Sequence, residues 1–352
     1  METACQRRRP MAKFRSDQFA TGNAENYPRD PLSGPLTFPA MEFTASMRSW
    51  VTARLAELGM TVTGPEELRI RAWSVIAAVP TSGGKVWFKA NPPDSVFEPR
   101  LTWALRDWAP GSALVPLAVD TDRGWSLLPD GGPTLRELLG GTSSREHWPG
   151  LLADYVRVQR ALAGRVADLF AMGITDFRPP VVPGVFEHLL ELAEPMLPME
   201  TLVELSAARS RIDQWCGVLA DSGVPATLDH ADVYEANVFP SPSGSRFFDW
   251  GDSVVGHPFC SLMSIVCSST DADPDWLCAQ YLAPWRDGYA DADLWRWAEA
   301  ALPLGFLTRA LAFTRSFPGL PAAELSRMRG YGAETLTQIL QPSLIRRRSV
   351  DR

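Results

Sequence analysis

The segment PDGGPTLRELL, residues 129–139, divides this chain into two parts with different hydrophobic periods. Upstream, apolar residues form short runs between turn signals; downstream, they recur every three or four residues. A chain that changes period in this way folds as a β-rich part joined to a helical part, and each part must bury its own apolar faces. Thr134 and Glu137 have capping-box spacing, so the second part opens on a helix N-terminus.

The first part reads in detail as follows. MEFTASMRSWVTARLAELGM (residues 41–60) has Met47, Val51, Leu55 and Leu58 at helical spacing. LRIRAWSVIAAVPTSGGKVWFKA (68–90) follows as β structure, with RAWS as the turn between the first two strands and SGG as the next hairpin turn. FEPRLTWALRDWA (97–109) restores helical spacing through Leu101, Ala104, Leu105 and Trp108, and Pro99 is tolerated there only in the first turn. SALVPLAV and GWSLLPD read as two more strands around DTDRG. A single helix among hairpin strands makes a small α+β lobe.

Beyond Thr134 helices dominate. LLADYVRVQRALAGRVADLF carries Leu152, Tyr155, Val156, Leu162, Val166 and Leu169 on one face. METLVELSAARSRIDQWCGVLADSG does the same with Leu205, Ile212, Cys216 and Leu219. Helical segments from Asp275 to Gly332 are expected to be interrupted at Pro284, Pro303 and Pro318. The resulting division is a flexible leader over 1–40, with Met41 as an alternative start, a nucleotide-binding lobe over 41–130, a helical catalytic and acceptor-binding lobe over 131–340, and a basic tail over 341–352.

Composition narrows the function. A hydrophobic share of 45% and a charged share of 21% fit a chain with real cores, and a net charge of −7 argues against nucleic acid or an anionic membrane as the main partner. Five widely spaced cysteines without a CxxC pair imply neither a disulfide framework nor a zinc site. The basic N-terminus is not followed by an apolar run of signal length, and no stretch of about 18 apolar residues occurs. A cytoplasmic protein is expected.

The one clear β signal in the helical part is HADVYEANVFPSPSGSRFFDWGD, residues 230–252. With SPSGS as its loop, the hairpin pairs Phe239 with Phe247 and Asn237 with Asp249. Facing residues have Cβ atoms about 4.5–5.5 Å apart, close enough for an amide oxygen and a carboxylate to share one Mg²⁺. Asp232, five residues before Asn237, can accept the proton of a hydroxyl nucleophile, and the order His-x-Asp-x-x-x-x-Asn then Asp-x-Gly is that of a kinase catalytic loop and metal loop.

On these motifs the chain resembles the aminoglycoside phosphotransferase family of small-molecule kinases, over roughly residues 45–335. The resemblance implies a protein-kinase-like α+β fold, with a small β-rich N-lobe and a larger, mostly helical C-lobe. It also implies Asp232 as catalytic base, Asn237 and Asp249 as Mg²⁺ ligands, and His230 as a structural histidine. Lys89 resembles the family's ATP lysine, with Glu98 as its partner. There is no GxGxxG; Ser74 and backbone N–H groups of the RAWS turn would contact phosphate instead. The adenine hinge would be the backbone from Leu128 to Asp130, where Pro129 cannot donate, and Trp87 is bulky for a position two before the lysine.

The chain after Asp249 has no long activation segment and no Ala-Pro-Glu, which argues against a protein kinase. Where relatives often show Gly-Asp-Pro and Asp-Leu, it has Gly256-His257-Pro258 and Ser261-Leu262, marking a divergent branch. Asp271, Asp273, Asp275, Asp287, Asp291, Asp293 and Glu299 interleave with Trp276, Trp285, Tyr289, Trp295 and Trp297, which suits a polar, cationic hydroxyl acceptor. The expected activity is transfer of the γ-phosphate of ATP, with GTP not excluded, and Mg²⁺ to a hydroxyl of an aminoglycoside, another antibiotic or an amino-sugar-like metabolite. The alternative is a pseudokinase-like protein that binds nucleotide or metabolite without catalysis.

Overall fold

The computed structural model describes residues 38–268 and 272–345, so most of the expected leader, the end of the basic tail and Asp271 lie outside the described residues. Strands β1 (Glu67–Arg71), β2 (Ser74–Thr81), β3 (Gly84–Ala90), β4 (Ala118–Asp120) and β5 (Trp125–Pro129) form an antiparallel sheet in the order β1-β2-β3-β5-β4. Alternation along β2 and β3 sends Val75, Ala77, Val79, Val86, Phe88 and Ala90 to one face, where they meet Met47, Val51 and Leu55 of helix α1 (Phe38–Glu57). Burying each such aliphatic side chain contributes about 1.5–3 kcal/mol. The helix stops earlier than its spacing predicts. Leu58 lies past the last turn and is exposed, because Gly59 takes φ +70° and turns the chain away.

Helix α2 (Glu98–Trp108) carries Pro99 in its first turn and buries Leu101 and Leu105 in the core of the helical part rather than in the sheet's core. SALVPLAV is only partly a strand of this sheet. Ala118–Asp120 pairs with β5, whereas Ala113 bridges to Phe247, with Phe247 N donating to Ser112 O at 2.8 Å.

The helical part opens at α3 (Leu135–Leu139), where Thr134 and Glu137 make both bonds of the capping box. It continues through α4 (Trp148–Leu162), α5 (Val166–Ala171), α6 (Val182–Ala193), α7 (Met199–Ala207), α8 (Arg209–Ala220), α9 (Leu262–Ser268), α10 (Pro274–Leu282), α11 (Asp291–Ala312) and α12 (Ala322–Leu336). The 151–170 pattern is broken by a tight turn at Ala163–Arg165, and the 199–223 pattern is two helices that divide at Ala208. Pro303 does not interrupt α11. Leu294, Ala298, Ala301, Leu302, Leu304, Phe306 and Leu307 bury the helix over nearly its whole circumference, and that packing outweighs a proline cost of about 3 kcal/mol.

The hairpin is not the only β structure here. Strands β6 (Thr175–Phe177), β7 (Thr227–Asp229) and β10 (Val254–Gly256) form a second sheet in the order β6-β10-β7, and three-residue strands are too short to display a period. This sheet brings the chain just before His230 beside the chain just after Asp252. Between them lies the hairpin of β8 (Val238–Ser241) and β9 (Gly244–Phe247).

Candidate active site

Lys89 occupies the face of β3 opposite the sheet's core, with Lys85 and Trp87. Its Nζ donates to both Glu98 oxygens, at 2.8 and 2.6 Å, and to Asp249 Oδ1 at 2.6 Å. Glu98 Oε1 also accepts Trp250 N at 2.8 Å, so one carboxylate at the start of α2 holds both the lysine and the backbone after Asp249. Burial would lower the lysine's pKa, but Asp249 and Glu98 outweigh it and hold the ammonium above its ordinary range. For Glu98 burial is the larger effect and pushes its carboxyl up against the pull of Lys89. Burial also pushes Asp249 upward, yet the Lys89 ammonium keeps it below the usual value.

The loop after β7 is built around a second buried carboxylate. Asp229 Oδ1 accepts Ala231 N at 2.9 Å and Ser261 Oγ at 2.5 Å, holding Ala231 at φ 63°. That left-handed residue turns the chain so that Asp232 follows. A non-glycine residue in this region costs about 1–2 kcal/mol. Among the described residues, the other non-glycine at positive φ is Asp249, at 65°. His230 is buried and its Nε2 lies 2.9 Å from Phe248 O, which ties this loop to the segment leading into Asp249.

The hairpin register departs from expectation by one residue. Val238 faces Phe247, Phe239 faces Arg246 and Ser241 faces Gly244, so Pro242-Ser243 is a two-residue turn rather than the centre of a five-residue loop. Asn237 therefore lies beside Phe248, whose N donates to Asn237 O at 3.2 Å, and not opposite Asp249. A one-residue slip alone would turn the metal-loop carboxylate to the other face. The left-handed conformation of Asp249, beyond the end of β9, redirects it toward Lys89 instead.

Asn237 Nδ2 donates to Asp232 Oδ2 at 2.9 Å and to Asp232 O at 3.0 Å, leaving the amide oxygen as a hard donor. Asp249, half-exposed, keeps Oδ2 beside the Oδ1 that Lys89 engages. Among the described residues no group of three or more His, Cys, Asp or Glu side chains forms a metal site. Two protein oxygens suit an ion that takes its other ligands from phosphates and water, as Mg²⁺ does. Burial pushes the Asp232 carboxyl up to about 6, with Arg309 pulling it down and Asp252 and Asp249 pushing it further up.

Around the remaining predicted residues the structure is mixed. Ser74 is buried at the start of β2, directly after the two-residue turn Ala72-Trp73, and Ala72 O accepts Phe317 N at 2.9 Å. Leu128 pairs with Trp87 on the face of the sheet that carries Lys89. Asp130 is engaged by Trp87 Nε1 at 3.3 Å and Lys85 Nζ at 3.2 Å, so the bulky indole is anchored to the expected hinge. An added Cβ at Gly131 would collide with the Phe239 ring, so this connection must be glycine where it crosses the hairpin.

The acidic and aromatic segment is used structurally. Asp273 caps α10 through Trp276 N, while Asp287 pairs with Arg160, Asp291 with Arg286 and Asp293 with Arg296. Trp285, Trp295 and Trp297 are buried in the core. What faces Asp232 is Arg309, which lies 3.1 Å from Asp232 Oδ1 and 3.1 Å from Asp252 Oδ2. Sequence reasoning passed over Arg309 and Asp252. The available signal was a cation inside the apolar run ALPLGFLTRALAF.

The sequence profile of the phosphotransferase enzyme family APH matches residues 92–303. No curated protein matches the chain. Among solved structures, the GDP complex of wild-type aminoglycoside 2'-phosphotransferase-IIIa is 12% identical with a TM-score of 0.56, covering 84% of this chain and 97% of that one. An ethanolamine kinase of Plasmodium vivax is 12% identical with a TM-score of 0.54, covering 79% and 82%. An amicoumacin kinase in complex with AMP-PNP and Ca²⁺ is 15% identical with a TM-score of 0.51, covering 84% and 96%. These likenesses show the protein-kinase-like fold, the five-stranded sheet followed by the largely helical region. With a family match over more than half of its length, the chain belongs to the APH phosphotransferase family and is a small-molecule kinase.

Proposed function

We propose that the protein is an ATP- and Mg²⁺-dependent O-phosphotransferase whose acceptor is a hydroxyl of a small molecule such as an aminoglycoside, another antibiotic or an amino-sugar-like metabolite. The observation that carries this reading is the convergence of a bonded trio and a bonded pair from four separate segments: Lys89 on Glu98 and Asp249, and Asn237 on Asp232. In this reading Lys89, oriented by Glu98, reaches the nucleotide phosphates; Ser74 and the turn before it lie against them; the backbone from Leu128 to Asp130 meets the base edge. GTP in place of ATP is an arm of the same test, since relatives are solved with both GDP and AMP-PNP.

Asp232 accepts the acceptor's hydroxyl proton as the new oxygen–phosphorus bond forms and the bond from the γ-phosphorus to the β–γ bridging oxygen breaks, releasing the nucleoside diphosphate. Asn237 holds the Asp232 carboxylate from one side and keeps its amide oxygen for the cation. Asn237 and Asp249 would hold the Mg²⁺, which would supply positive charge against the phosphates.

The charges next to Asp232 revise the acceptor preference. Arg309 is the nearest cation, Asp249 and Asp252 stand beside the base as well, and Asp287, Asp291 and Asp293 pair with arginines elsewhere, so those acids no longer argue for a cationic acceptor over a neutral polyol-like one. Phosphate transfer from ATP and GTP against a panel of antibiotics, amino sugars and neutral polyhydroxylated compounds tests the reading. Asp232→Ala should lower transfer by about 10²–10⁴-fold while nucleotide binding persists; undiminished turnover would reject the assignment.

A further inference from the structure

We propose that Arg309 is a positioning residue of the phosphotransfer site: its guanidinium bridges the catalytic loop and the metal loop and sets the direction of the Asp232 carboxylate. The inference rests on the proposed function and extends it to a residue beyond the family match, which ends at 303.

The geometry begins with the packing of α11. Gly305 lies where an added Cβ would collide with the Cys260 carbonyl and the Met263 side chain, so the helix backbone comes against the chain that follows the metal loop. Arg309 is one turn further on, on the same side of the helix. Its side chain is only 16% exposed and reaches Asp232 Oδ1 and Asp252 Oδ2 at 3.1 Å each. The guanidinium carbon lies over the Phe313 ring, 5.4 Å from its centroid, and Phe313 packs in turn on Tyr331 of α12.

Two donors then fix one carboxylate. Asn237 Nδ2 donates to Asp232 Oδ2 and Arg309 Nη1 pairs with Oδ1, which restrains the carboxylate from both sides. Asp252 lies three residues after Asp249, so the same cation registers the metal loop against the base. The following residues extend the hold. Arg315 donates to Gly251 O at 2.6 Å and Thr175 Oγ1 at 3.2 Å, and Phe317 N donates to Ala72 O in the turn before Ser74. A single stretch, 309–317, thus touches the catalytic loop, the metal loop and the phosphate-side turn.

A residue that only aligns the base should affect turnover more than nucleotide binding. In the full chain, Arg309→Ala should lower kcat by about 10²-fold, the loss that follows removal of a preorganised donor, with KM for ATP within about 3-fold of wild type. Arg309→Lys should recover part of the loss because the charge returns without the planar guanidinium that sets where Nη1 lies between the two carboxylates. Added guanidinium at low concentration should restore turnover of Arg309→Ala in a saturable manner, which a packing defect would not allow. Should Arg309→Ala fail to fold, Asp252→Asn tests the same bridge from its other end and should show the same split in smaller measure. Turnover unchanged in both variants overturns the proposal, as does loss of kcat and nucleotide binding together with no recovery from Lys or guanidinium. The proposed function fails separately: there, the wild type itself neither transfers phosphate nor hydrolyses ATP, and both readings fall.

Discussion

The two ends of the site are stabilised in opposite ways. At one end Lys89 and Glu98 are deeply buried and bonded bidentately, with Asp249 and the Trp250 backbone completing the set. At the other end Asp232 retains a 20% exposed side chain, flanked by Asn237 and Arg309 and by the like charge of Asp252. The first end is a structural joint, where three elements meet on one cation. The second is a poised carboxylate, less deeply buried than Lys89 and Glu98 and turned by neighbours on two sides. Removing a partner from a buried ion pair leaves an uncompensated charge, whereas removing a semi-exposed base costs the chemistry and little else.

That contrast can be broken by experiment. The largest effect is expected at the exposed end: Asp232→Ala should reduce transfer by about 10²–10⁴-fold. Its urea midpoint should stay close to wild type, and a large fall in stability would erase the distinction between the two ends. At the buried end Lys89→Met should lower stability by about 3–5 kcal/mol in urea unfolding, through the stranded charge of Glu98. A change below about 1 kcal/mol would show that Glu98 simply takes up a proton.

A third measurement sharpens the comparison away from either end. His257 is buried and stands before the tight turn at Pro258, where its Nδ1 accepts Phe259 N, and burial pulls its pKa down to about 3 from 6.5. The unfolded chain takes up this proton first as the pH falls, so stability present above about pH 7 is lost progressively toward pH 3. About 2 kcal/mol should go between pH 7 and pH 5. Asp229, pushed up to about 6 by burial, acts in the opposite sense over pH 6 to 4 and partly offsets this in the wild type. Comparing urea midpoints of wild type and His257→Asn across that range isolates the histidine, because Asp229 is common to both; parallel curves would refute its contribution. The smallest effect concerns the joint between the two parts: Thr134→Ala removes the capping box of α3 and should cost about 1 kcal/mol by thermal unfolding. No change there would mean that α3 is held by packing alone.

Legibility followed distance along the chain. Lys89 could be placed because strand alternation is local, and Glu98 because a proline in the next position marks a helix start. Asp232, Asn237 and Asp249 lie within one short stretch whose spacing has a chemical meaning. The hairpin's register was misread because turn length, two residues rather than five, is decided by φ values such as that of Gly244 and by Asp154 Oδ2 accepting Ser245 N from α4. The acids of 273–293 looked like a ligand surface because composition cannot show which of them already serve arginines and helix caps.

By itself the sequence determined the change from β to helical period at residue 129, the α1 face that covers the sheet, and the order of the catalytic and metal loops. Each of these depends on neighbours within a turn, a strand or a hairpin. Tertiary structure alone decided that Asp249 would turn back to Lys89 through a left-handed residue, and that the three-residue strands β6, β7 and β10 would gather the two loops. It also decided that Arg309 would arrive at Asp232 from 77 positions further along the chain. Contacts of that span depend on how closely α11 can approach the metal loop, and the absence of one Cβ at Gly305 permits that approach.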